Sequence, residues 1–181
     1  VRIVAGSLRG RRLVAPAGQT TRPTGERLRQ AVFDMLTHAP WGGRALLDGA
    51  LVLDLFAGTG ALGLEALSRG AGRAEFFEND RAALAALHTN IAACGVQDRA
   101  LVVAGDATRP AQGAAAGLVF LDPPYGLGLV NRTLRALREA GRVDGMSVIV
   151  AEVAREEAAP VLAAVLAERA HGAGRVVMGR Q

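Results

Sequence analysis

Residues 51 to 78 restrict the fold more than any other stretch. The apolar run Leu51 to Phe56 leads straight into Gly58-Thr59-Gly60-Ala61-Leu62-Gly63. A helical Ala/Leu segment follows from Ala61 to Arg69, and a second apolar run, Ala74 to Phe77, ends at Glu78. This is the G-x-G-x-x-G pattern in a strand, turn and helix setting. The glycines allow a tight turn and close approach of a ligand, and an acid about twenty residues on meets a ribose diol. Two strands joined through a helix lie parallel, so the unit predicts an α/β sheet with a nucleotide-like ligand at its carboxyl edge.

The rest of the chain repeats the alternation. Further apolar runs lie at Ala100 to Ala104, Leu118 to Leu121 and Ser147 to Val150, with helical segments at Arg81 to Ala93 and Leu129 to Ala140. Runs apolar at successive positions are buried on both faces, as in a parallel sheet covered by helices. In the tail, Glu156 to Leu162 reads as a short helix, and Val165 to His171 with Arg175 to Met178 as a closing antiparallel pair. A domain of 181 residues buries roughly 70% of its unfolded surface and needs no disulfide or structural metal. The single Cys94 fits a reducing, cytoplasmic setting. No apolar run approaches the roughly 18 residues of a membrane span, and Val-Arg-Ile-Val-Ala-Gly lacks the layout of a secretory signal, so a cytosolic protein with a trimmed start is expected.

A net charge of +4 conceals a lopsided distribution. Residues 1–30 hold Arg2, Arg9, Arg11, Arg12, Arg22, Arg27 and Arg29 against Glu26 alone, so this end carries +6 and the remaining 151 residues −2. The absence of Lys fits a bias in genome base composition, which does not explain the clustering. A basic end on a weakly acidic body points to a polyanion, nucleic acid before a merely solvated arm. Arg2 to Val4 and Arg11 to Ala15 flank Gly6-Ser7-Leu8-Arg9-Gly10 as a hairpin with an arginine-loaded tip, and Pro16 to Pro23 is a connector. From Glu26 on, Leu28, Ala31, Val32, Met35 and Leu36 form a helical stripe whose polar side would carry Arg27 and Arg29.

Two constellations carry chemistry. Asp54 lies four residues before Gly58, where a dinucleotide would set its pyrophosphate. A carboxylate there repels phosphate and attracts the ammonium or sulfonium of S-adenosyl-L-methionine, whose own carboxylate could take the helix N-terminus. That cofactor is therefore favoured over NAD. Asp122-Pro123-Pro124-Tyr125 follows the fourth strand on the same edge. Two prolines without N–H leave a turn of acceptors only, the Asp122 carboxylate and main-chain carbonyls, which suits an exocyclic amino group. Tyr125, the one tyrosine, could stack on a flipped base.

Three stretches resemble the RsmD family, bacterial enzymes that methylate N2 of a guanine in 16S ribosomal RNA. They are Arg-Ile-Val-Ala-Gly-Ser-Leu-Arg-Gly-Arg-Arg-Leu (2–13), Thr-Arg-Pro-Thr-Gly-Glu-Arg-Leu-Arg-Gln-Ala-Val-Phe-Asp-Met-Leu (21–36) and Asp-Leu-Phe-Ala-Gly-Thr-Gly-Ala-Leu-Gly-Leu-Glu-Ala-Leu-Ser-Arg-Gly-Ala (54–71). The resemblance implies a class I S-adenosylmethionine-dependent methyltransferase fold, Rossmann-like α/β with a mostly parallel seven-stranded sheet and helices on both faces. It implies a basic hairpin extension over residues 1–20 that contacts RNA, and a catalytic domain over 21–181. Asp54, Gly58 and Gly60 would line the methionine part of the cofactor, Glu78 would bind the ribose, and Asp106 in Ala-Gly-Asp-Ala would reach the adenine amino group. Phe56, Thr59, Asn79 and Ala107 complete the cofactor set. Asp122, Pro123, Pro124 and Tyr125 would hold the target base, and Arg2, Arg9, Arg11, Arg12, Arg22, Arg27 and Arg29 would bind RNA. The expected partner is 16S ribosomal RNA within a small subunit or assembly intermediate, met by a monomer. The family's motif often ends in Phe, and the Tyr ending is shared with DNA adenine methyltransferases. A DNA adenine-N6 or cytosine-N4 amino-methyltransferase is therefore the alternative, although 181 residues leave no room for a separate DNA-recognition domain.

Other polar residues read as structural. Asp80 caps the next helix, with the ribose role as its alternative; Trp41 packs the first helix on the body, with a cofactor-side role as its alternative; Cys94 fills space; Asn90 is a weak candidate for a helix-surface contact. His38, His88 and His171 have no ligand spacing, so neither a metal site nor a histidine base is indicated.

Overall fold

The computed structural model describes residues 1–16 and 23–181. Arg22, most of the expected connector and the expected boundary at residues 20 and 21 lie outside the described residues. One seven-stranded sheet has the order β3-β2-β1-β4-β5-β7-β6. Strands β1 (Leu51–Leu55), β2 (Arg73–Glu78), β3 (Ala100–Ala104), β4 (Leu118–Leu121) and β5 (Val148–Ala154) are parallel. β7 (Gly174–Arg180) runs antiparallel between β5 and β6 (Ala164–His171), as the tail pattern predicts. The helices are α1 (Pro23–His38), α2 (Ala61–Ser68), α3 (Arg81–Cys94) and α4 (Leu129–Glu139).

Side-chain alternation divides the core. Val52, Phe76, Phe120 and Val150 face one way and pack with Phe33 and Leu36 of α1, Leu64 of α2, and Leu87 and Ile91 of α3. Leu53, Leu55, Phe77, Val119, Leu121 and Ile149 face the other way, onto Val130, Leu134 and Leu137 of α4. Burial on both faces is what makes the central strands predominantly apolar. Strand β3 differs because it is an edge strand, and its Leu101 is exposed.

The expected helix at Glu156 to Leu162 does not form. Pro160 has no N–H to give a helix ladder, and side chains hold the segment in another way. Glu157 accepts from the amides of Gly126, Gly128 and Ala154, while Asn131 brackets Pro160 by bonding Ala159 O and Val161 N.

Helix α1 starts at Pro23, three residues before the predicted Glu26, and its buried face is Arg29, Val32, Phe33 and Leu36. Arg29 is therefore not on a polar surface: it is 6% exposed, and its Nη2 donates to Arg2 O at 2.5 Å. Its Nε lies 3.7 Å from the buried Glu65 carboxylate. Arg27, two residues before Arg29 and so on the opposite side of the helix, is exposed.

The first sixteen residues are bound to the body by α2 and α3. They form a hairpin-like loop with a single antiparallel bridge, Arg2 to Arg12, rather than two full strands, and bury Ile3 and Leu13 in the core. Glu65 accepts from Val4 N at 2.7 Å, Ala5 N at 3.0 Å and Arg69 Nε at 2.8 Å. Ser68 Oγ donates to Ala5 O and accepts from Leu8 N. Gly6, with φ of 81°, is needed here, since a Cβ would lie 1.9 Å from Ser68 O. Glu65→Gln keeps the shape but leaves the buried Arg29 and the half-buried Arg69 without their counter-charge. Urea unfolding should show a loss of about 3 kcal/mol or more.

Candidate functional site

Register across the parallel strands sets the site. Phe77 of β2 pairs with Leu55 of β1, Leu55 with Leu121 of β4, and Leu121 with Ala151 of β5. The next residues, Glu78, Phe56, Asp122 and Glu152, therefore stand at one level along the carboxyl edge. This row crosses the junction of β1 and β4, where the crossovers change direction and α/β sheets open a ligand crevice. Adjacent strands lie about 4.8 Å apart, which brings Asp122 beside Glu152.

Two cavities flank the row. One of about 540 Å³ is lined by Phe56, Gly58, Glu78, Asn79, Asp80, Ala83, the turn from Asp122 to Tyr125, and Leu129. The other, about 310 Å³, lies against α1 and has Asp54, Thr59, Asp122 and Glu152 among its walls. They meet at Phe56, Gly58 and Asp122. At this junction Phe56 has φ of 64°, the one positive φ outside glycine among the described residues. Such a conformation costs on the order of 1–3 kcal/mol and persists where surrounding structure enforces it.

The acids are held in distinct ways. Glu78 accepts from Gly58 N through Oε2, and from Asn79 N and Asp80 N through Oε1, each at 2.8 Å. It thereby ties the glycine loop to the end of β2. Asp80 caps α3 through Ala83 N at 2.8 Å, the structural role predicted for it, and also lines the larger cavity. Asp106 is exposed and outside both cavity linings. Its Oδ1 accepts from Thr108 Oγ1 and N, bonds that hold its carboxyl below the usual range. Ala107 is buried in the α4-side core.

Asp54 departs from its expected state. It is buried, and Oδ2 accepts from Gly63 N at 2.8 Å, so this carboxyl itself occupies the α2 N-terminal amide expected for the cofactor's carboxylate. Burial pushes it up to about 8; the Gly63 bond opposes that, and Asp122 and Glu78 add repulsion. At neutral pH it is mostly neutral unless a cation comes near. Asp122 is exposed to the cleft, yet desolvation by the surrounding walls, with Glu152 adding repulsion, raises its carboxyl to about 7.

Three residues in the site went unrecognised in the sequence. Glu152 accepts a hydrogen bond from the Tyr125 hydroxyl through Oε1, and His171 Nε2 lies 3.3 Å from the same oxygen. Gly174 makes room, since a Cβ there would overlap the Tyr125 hydroxyl. The available signal was a lone acid inside the apolar run Val-Ile-Val-Ala-Glu-Val-Ala. Asn90, expected on a helix surface, is fully buried; Oδ1 accepts from Val14 N, and Nδ2 donates to Val14 O and Thr59 O. Cys94 is buried and Trp41 packs against the main core, in keeping with their structural readings. Arg2, Arg9, Arg11, Arg12 and Arg27 are exposed. Among the described residues, no group of three or more His, Cys, Asp or Glu could hold a metal, and no helix is long and apolar enough to cross a membrane.

The raised Asp54 carboxyl has a consequence for stability. Its value is 3.8 in a free chain and about 8 when folded, so between these limits the folded state keeps a proton that the unfolded chain releases. Folding stability therefore falls as pH rises through that window. Asp54→Asn should reduce this fall when urea unfolding is compared at pH 5 and pH 8; an unchanged slope would assign the titration to other groups.

The comparisons with known proteins agree with this architecture. A family model described as Conserved hypothetical protein 95 matches residues 1–178. Ribosomal RNA small subunit methyltransferase D of Escherichia coli (strain K12) is 36% identical over 165 residues, covering 91% of this chain and 80% of that protein. The solved structure of yhhF from Escherichia coli, assigned as a methyltransferase, superposes with a TM-score of 0.84 at 33% identity, covering 100% of this chain and 99% of that one. Ribosomal protein L11 methylase of Lactobacillus delbrueckii, 10% identical, shares the fold alone, with a TM-score of 0.64 over 90% of this chain and 81% of that one. Matched along nearly its whole length in sequence and in fold, the chain belongs to the RsmD family and has the class I methyltransferase fold.

Proposed function

We propose that this protein transfers a methyl group from S-adenosyl-L-methionine to N2 of a guanine in 16S ribosomal RNA. It would act as a cytoplasmic monomer on a small subunit or assembly intermediate. The observation that carries the reading is the place of Asp122, at the head of an acceptor-only turn and in the wall shared by two cavities. The larger cavity suits the nucleoside part of the cofactor, and the smaller one, lined by Asp54 and Thr59, suits the methionine end and the base. The name of the Escherichia coli relative supports ribosomal RNA as the substrate.

The larger cavity fits the cofactor in its chemistry. Glu78, Asp80 and Asp122 line it and no arginine does, which favours a cation and opposes a pyrophosphate. Glu78 and Asn79 would hold the ribose, Asp106 with Ala107 the adenine, and Asp54, Phe56, Gly58, Thr59 and Gly60 the methionine end. When bound, the cofactor supplies a methyl on a sulfonium, so an N–C bond forms as an S–C bond breaks. The Asp122 carboxylate and Pro123 carbonyl accept the two amine hydrogens, and Pro124 keeps the turn free of competing donors. Tyr125 offers a ring face to the base. Fixing the amine in this way can lower the barrier by roughly 7 kcal/mol. With its carboxyl raised to about 7, Asp122 is also a better proton acceptor than an ordinary carboxylate for the proton the nitrogen sheds.

The exposed Arg2, Arg9, Arg11, Arg12 and Arg27 supply the RNA surface, and the buried Arg29 is left out of it. Labelled methyl transfer to small subunits lacking the modification, to naked ribosomal RNA and to duplex DNA tests the reading, with mass spectrometry locating the methyl. Label on guanine N2 of ribosomal RNA is expected, and Asp122→Asn should cut kcat about a hundredfold or more. Label on DNA amino groups alone would establish the rival amino-methyltransferase. Replacing Arg9, Arg11 and Arg12 by Ala should make the plot of log affinity against log salt shallower by about 2 to 3, with cofactor affinity unchanged.

A further inference from the structure

Glu152 is the lone acid of β5 and is flanked by the buried Ala151 and Val153. A strand interior built for packing alone would hold an apolar side chain there. Instead the carboxylate forms part of the smaller cavity, whose apolar walls include Leu28, Val32, Val150 and Val176. The Leu121 to Ala151 pairing sets Glu152 directly beside Asp122, the residue that follows the neighbouring strand. The Tyr125 hydroxyl donates to its Oε1 and fixes that oxygen, and His171 Nε2 lies 3.3 Å from it. A carboxylate has about four lone-pair sites, so these contacts do not exhaust it.

The adjacent Asp122 and Glu152 carboxyl groups present mainly acceptor oxygens at this point of the cavity, which favours a base edge that carries donors. Guanine offers N1–H directly beside the N2 amine, an unbroken row of donors. Adenine and cytosine set their amine beside a ring nitrogen whose lone pair faces outward, and a carboxylate repels it. We propose that Glu152 selects guanine by accepting its N1–H while Asp122 engages N2. The apolar walls would enclose the faces of the purine. This inference rests on the amino-methylation proposed above and adds the residue that chooses the base.

The test uses 16S RNA ligated to carry 2-aminopurine or inosine at the methylated position and assembled into small subunits. 2-Aminopurine keeps the N2 amine but turns N1 into an acceptor; inosine keeps N1–H and has no amine. Wild-type enzyme should methylate guanine at least about tenfold better in kcat/KM than 2-aminopurine, and inosine not at all. Glu152→Gln, whose amide can donate to N1, should narrow or reverse the ratio of guanine to 2-aminopurine. Its adenosylmethionine affinity by calorimetry should stay within about twofold of wild type. Equal rates on guanine and 2-aminopurine with the wild-type enzyme, or a wild-type ratio in the variant, would overturn the proposal. A wild-type enzyme that methylates no N2 amine would instead refute the underlying function, so the two failures are distinguishable.

Discussion

The in-step pairing of β2, β1, β4 and β5 is the constraint on which the site depends. Because side chains alternate along a strand, a shift of one residue between β4 and β5 would send Glu152 to the opposite face and separate it from Asp122. Register is protected by what lies below. Leu53, Val119 and Ile149 on one face, and Val52, Phe120 and Val150 on the other, are committed to two different cores, so a slipped strand would expose one set and misplace the other. The packing energy of the sheet thus maintains a row of acids that gains nothing from packing itself.

Much of this was legible because it is local. A strand, a glycine turn and a helix follow one another in sequence, and the span of Leu118 to Leu121 and the antiparallel tail can be read from runs of apolar residues. Asp122 to Tyr125 stands out for the same reason. Partners distant in sequence were hidden. Helical spacing around Leu28 and Met35 assigned Arg29 to the outside, but the helix turns that arginine inward, where Glu65 meets it from another element. His171 and Glu152 are nineteen positions apart, and only the insertion of β7 between β5 and β6 explains why the tail returns to the site. Single-residue identities gave no sign of it.

Charge needed the structure most. Counting ionised acids around the glycine loop implies a strongly negative pocket, yet burial leaves Asp54 largely protonated until something positive arrives. Glu78 divides its two oxygens among three main-chain amides, so part of its charge is spent on loop shape. The acids near the carboxyl edge are graded, from the exposed Asp106, outside both linings and held below the ordinary carboxylate range, to Asp54 at the buried end. A formal count of charges misses that gradient.

Asn90 joins two regions that the sequence presents as separate. One amide side chain grips Val14, at the end of the arginine-bearing loop, and Thr59, in the middle of the glycine turn. Glu65 and Ser68 fasten the beginning of that loop to the helix that the glycine turn starts. The described part of the N-terminal segment is therefore pinned to the body at both ends, and its Val1 lines the smaller cavity. A force that displaces it is transmitted through a few short polar contacts to the backbone around Thr59.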